Sequence, residues 1–116
     1  MCIRDSPALA AAHDVGVGVI VKEALANGRL TARGQITDVG ETARLLGCTP
    51  DALALAAVLA QPWADVVLFG AATVQELTSN LAAESLQLGP GVVDQLDTVR
   101  ENSSAYWETR ASLPWN

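Results

Sequence analysis

The 116-residue chain carries 7 Lys and Arg against 13 Asp and Glu, a net charge of −6, and its scattered basic residues exclude a phosphate-backbone binder, so no nucleic-acid partner is expected. Two cysteines without close spacing and a single histidine exclude a zinc or disulfide framework and point to a reducing, cytoplasmic compartment. No apolar run reaches the roughly 18 residues of a membrane helix, and half the residues are apolar but only five aromatic (three Trp, one Tyr, one Phe), which suits helices packed on parallel strands.

Met1 to Ser6, MCIRDS, fits nothing that follows and reads as a non-native leader without a secretory signal. Ser6-Pro7 marks a helix start, and Ala8 to His13 a short helix. Val15 to Val21, VGVGVIV, reads as a strand buried on both faces. Glu23 to Gln35 has no period and carries Asn27-Gly28 and Gly34, the signature of a long βα loop. Ile36 to Gly47 reads as a helix with Val39, Ala43 and Leu46 at helical spacing. Thr49-Pro50 caps and starts the next helix, whose Ala52 to Ala60, ALALAAVLA, is apolar nearly all round and should be deeply buried. Asp65 to Phe69 is the second strand. Gly70-Ala71-Ala72 turns the chain into a helix over Thr73–Glu84, opened by the capping box of Thr73 and Glu76. After Gly89-Pro90-Gly91 a short helix covers Val92 to Glu101, and residues 103–116 form a polar, aromatic tail.

Strands separated by helices imply a parallel βαβ unit. Two such strands leave edges and faces uncovered, so the chain is expected to be a piece of a larger α/β domain or an oligomer, and to self-associate when alone.

Three segments resemble the last third of an aldo-keto reductase. VIVKEALANGRLT is similar to that family's seventh strand and the loop along the cofactor pyrophosphate, with Leu25, Asn27 and Gly28 in place and Glu23-Ala24 where Ser-Pro is usual. GCTPDALALAAVLAQPWADVVLFGAAT is similar to the seventh helix and eighth strand. VLFGAATVQELTSNLAA is similar to the strand-to-helix turn at the adenosine end, with Gly70, Ala71, Leu77 and Asn80 matching and Glu76 at the usual Gln position. The resemblance implies a partial (β/α)8 TIM barrel spanning residues 7–102: its last two parallel strands with their helices, followed by the tail. It also implies NADPH, or NADH, held by Leu25, Asn27, Gly28, Gly70, Ala71, Ala72, Thr73, Glu76 and Asn80. The activity implied is hydride transfer between that cofactor and a small carbonyl or alcohol. The family's catalytic Asp, Tyr, Lys and His have no counterparts in this chain, which alone is expected to be inactive.

Other features read more simply. Gly16-Val17-Gly18 lacks the third glycine of a dinucleotide fingerprint. His13 suits a helix end, Cys48 is a packing residue, and Trp107 and Trp115 are tail anchors. Two alternatives have a basis in sequence. ETARLLGCTPDALALAAVL has the outline of a helix-turn-helix, although its second helix starts Thr49-Pro50-Asp51 with no base-reading side chain. A self-associating βαβ interaction or nucleotide-binding module is the other.

Overall fold

The computed structural model describes residues 6–34 and 36–114, with backbone only at Ser103. Among the described residues six α-helices and one two-stranded parallel sheet form, in the order α1 (Ser6–Asp14), β1 (Ile20–Val21), α2 (Thr37–Leu45), α3 (Pro50–Leu59), β2 (Val66–Val67), α4 (Val74–Leu81), a 3-10 turn (Ala82–Ser85), α5 (Pro90–Asp97) and α6 (Ser103–Ser112). Met1 to Asp5 of the expected leader, Gln35 and Trp115 lie outside the described residues.

Helix α3 is the centre. Thr49 accepts a hydrogen bond from the Ala52 N–H, Pro50 fills the first turn, and every residue from Asp51 to Val58 is buried. An all-apolar helix has no face to offer water, so its neighbours must wrap it. Leu53, Ala54 and Ala57 pack with Val39, Ala43, Trp63, Leu96 and Tyr106. Leu55, Ala56 and Val58 pack on the other side with Ala24 and Ala83.

The sheet is much smaller than its sequence suggests. Ile20 pairs with Val66 and Val21 with Val67, in parallel register. Backbone bonds from Asp65 and Val66 to Val19 and from Leu68 to Val21 extend the pairing slightly. The Asp65 carboxylate accepts the Val19 N–H at 2.7 Å and ends the ladder on that side. Val15 to Val21 was expected to be buried throughout. Instead Val19 is buried while Val15, Val17 and Ile20 are 79, 54 and 65 % exposed. Val66, Leu68 and Phe69 of the second strand are exposed too.

The expected partial (β/α)8 barrel is therefore not what forms. The described residues make a helix-rich globule with one short parallel pair. The physical reason is the absence of further strands against either edge. Parallel strands need cover on both faces and pairing beyond a single neighbour, so the apolar runs fray into loops and the helices close on α3 instead. Residues 103–112 form α6, capped by Asn102, whose side chain accepts the Ser104 N–H, and Tyr106 sits in the core.

Candidate functional site

In open parallel sheets, ligands sit outside the carboxyl ends of the strands. Two segments meet that description here: the loop from Lys22 to Ile36 after β1, and the turn from Leu68 to Thr73 after β2.

The first loop is a chain of tight turns. The N–H of Ala26 donates to Glu23, those of Gly28 and Leu30 to Leu25, and that of Gly34 to Thr31. Glu23, Ala26 and Asn27 hold φ of 59°, 49° and 56°, left-handed values unusual for residues with a Cβ. Gly28 continues the series at 82°, where glycine carries no such cost. Ala24, Ala26 and Leu30 point into the core and pin the loop, leaving Leu25 and Asn27 half-buried and Gly28 exposed. Gly34 passes so close to the Arg29 carbonyl that a Cβ would lie 1.8 Å from its oxygen.

The second segment is a helix start. Thr73 accepts the Glu76 N–H at 3.1 Å, the first half of the capping box, while Glu76 accepts the N–H of Ala72, one residue before the cap, at 2.8 Å. The same Glu76 carboxylate accepts from Arg33 Nη2 at 2.7 Å, a bond that ties the two segments together. The Arg33 side chain is 82 % exposed. Gly70, Ala72 and Thr73 are exposed and Ala71 half-buried.

Eight of the nine candidate residues thus fall into two groups at one end of the sheet. Leu25, Asn27 and Gly28 form one, and Gly70, Ala71, Ala72, Thr73 and Glu76 the other. Among the described residues no hydrogen bond joins Leu25–Gly28 directly to Gly70–Asn80; the link is Arg33 to Glu76. Asn80 stands apart. It is 5 % exposed on the inner face of α4, next to Ser79, whose hydroxyl meets that of Thr49 at 2.9 Å.

A phosphate at this end would find two cations, Arg33 and the exposed Lys22 directly after β1. It would also find the Ala72 N–H already satisfied by Glu76, so it would have to displace that carboxylate.

Sequence reasoning missed three contributors. Arg33 could have been found as the basic residue nearest Gly34 in the long loop. Arg110 could not, because its Nε reaches the Glu23 carboxylate at 3.1 Å from 87 residues away. A 440 Å³ cavity between this loop and α2, lined by Leu30, Thr31, Gly34, Val39, Arg44 and Pro50, contains none of the nine candidates.

Elsewhere, burial and the neighbouring Asp51 push the Cys48 thiol up, away from the thiolate a nucleophile needs. Among the described residues no group of three His, Cys, Asp or Glu could hold a metal ion. Among them too, no single helix is long and apolar enough to cross a membrane. Helices α2 and α3 meet at 87°, but α3 is buried from Asp51 to Val58 and offers no face to a nucleic-acid groove. No protein-family model matches the chain, and no curated protein matches it.

Proposed function

We propose that this chain forms the adenosine-phosphate side of a nicotinamide-dinucleotide site. NADPH is the first cofactor on this reading and NADH the second. The enzyme served would be an aldo/keto reductase acting on a small carbonyl or alcohol, the family that the three sequence segments resemble. The observation that carries the reading is the Arg33–Glu76 bridge, which ties the loop after β1, two residues past the first resembling segment, to the helix start in the last one, at the carboxyl end of a parallel strand pair. The bound dinucleotide supplies the hydride. What this chain supplies is a cationic side chain, a capped helix start and two exposed turns. No catalytic Tyr–Lys pair is assigned to it, so its role is binding.

The test is calorimetric titration of NADPH, NADH and 2′,5′-ADP into the protein and into Arg33→Ala. Saturable binding of 2′,5′-ADP that weakens about fivefold in the variant, the scale of one exposed charge, supports the reading. Absence of saturable binding by any of the three overturns it.

A second reading rests on a different observation. Ile20, Val66 and Leu68 expose an apolar face beside unpaired strand edges. This suits an interaction module that associates through the sheet.

A further inference from the structure

The C-terminal segment grips the loop after β1 at two places, with opposite signs. Glu101 takes the Arg29 guanidinium end-on, with its two oxygens at 2.9 and 2.5 Å from Nη1 and Nη2. Arg110 donates from Nε to both Glu23 oxygens at 3.1 and 3.2 Å, and Tyr106 donates its hydroxyl to the same carboxylate at 3.2 Å. The Arg110 side chain is only 13 % exposed and that of Glu23 28 %. Tyr106 between them is buried in the core and anchors α6. Bonds from two side chains on one helix to one loop carboxylate do more than fasten the loop. They neutralise a negative charge at its mouth.

That charge matters because of where it lies. Glu23 starts the turn that carries Leu25, Asn27 and Gly28, and its own φ is left-handed. A bare carboxylate there would repel a phosphate approaching the loop. Glu101 acts on Arg29 in the opposite sense and withdraws a cation; the loop's exposed positive side chains are Lys22 and Arg33, the latter bridged to Glu76.

We propose that Arg110, seconded by Tyr106, is a positioning residue that holds the Glu23 carboxylate neutralised and thereby lets the loop accept a polyphosphate. This rests on the dinucleotide reading above. Arg110 acts through Glu23 and does not touch the ligand.

The test compares NADPH and inorganic pyrophosphate binding by the wild-type chain, Arg110→Ala, Glu23→Gln and the double variant. Arg110→Ala is expected to weaken both ligands about fivefold. Glu23→Gln is expected to bind as tightly as the wild type or more tightly, and the double variant to recover most of the loss. A clasp that works only by fastening predicts the reverse for Glu23→Gln. Equal loss in Arg110→Ala and the double variant, with no recovery, overturns the proposal. So does binding unchanged in Arg110→Ala. If the wild type binds neither ligand, the dinucleotide reading fails by itself, and chloride or sulfate titration followed by the amide signals of Ala24 to Gly28 takes over. Anion-induced shifts that shrink in Arg110→Ala and return in the double variant support the charge role. Shifts of the same size in all four proteins overturn it.

Discussion

At the scale of single residues, the ionisable groups hold distant segments together. The Val19 N–H holds the Asp65 carboxyl below its usual range, with His13 at 3.5 Å adding to the effect. The Arg29 guanidinium does the same for Glu101. Both carboxyls lose their protons more readily in the folded chain than in the unfolded one. The stability they contribute is therefore fully present above the ordinary carboxyl range, about pH 4, and is lost as pH falls through their lowered values. Urea midpoints measured from pH 6 downward should fall below about pH 4, and Glu101→Gln should flatten that decline. An unchanged slope in the variant would mean that the Arg29 pair contributes nothing to acid sensitivity. Asp65 is exposed, so its share is tied to the fraying end of the sheet and should show first in the exchange of the Val19 amide.

At the scale of elements, α3 decides the outcome. This helix is buried from Asp51 to Val58, and α2, α4, β2 and the 3-10 turn all pack on it. Leu53 has no exposed surface. Leu53→Ala should cost about 2–5 kcal/mol, a large part of the 5–15 kcal/mol typical of a domain. Leu59, at the end of the same helix, is 46 % exposed, and its replacement by Ala should cost under about 1 kcal/mol. Thermal melts of the two variants check the pair. Similar losses in both would show that α3 is not the organising core. The loop after β1 is an element of another kind. It has no regular structure, yet it is fixed by buried Ala24, Ala26 and Leu30 from inside and by Glu101 and Arg110 from outside.

At the scale of the whole molecule, the surface is large for the mass and exposes many apolar side chains. The accessible area is 7177 Å², against about 6,000 Å² expected of a monomer of this size. Ile20, Val66, Leu68 and Phe69 are exposed along the sheet, and Val74, Leu77 and Leu81 along α4. The chain is therefore expected to self-associate, and sedimentation velocity should show a weight-average mass that rises with concentration. Leu68→Lys, with an apolar side chain replaced on the open face, should reduce that rise without changing the far-ultraviolet dichroism. A constant mass of 12.1 kDa at every concentration would sink the expectation.

The local code was legible where a single stretch holds its own partners. Thr49-Pro50, Thr73, and the apolar run from Ala52 to Val58 each set a start, a cap or a burial that the structure carries out, whereas Leu59 and Ala60, expected to be buried with that run, are exposed. The same reading failed for Val15–Val21 and Asp65–Phe69. A strand's hydrogen bonds are made with another strand, so β-branched composition states a preference that only neighbours can satisfy. With one neighbour available, each run kept two residues of strand, and the barrel that the resemblance implied did not form. Tertiary structure alone decided that residues 103–112 fold as α6, that Tyr106 is core, and that Glu23 meets Arg110 rather than solvent. Nothing within a few residues of Glu23 names that partner. The sequence by itself determined where α3 and α4 begin; the packing around α3 determined which charges meet, because ion pairs across 72 and 87 residues exist only once the chain has closed.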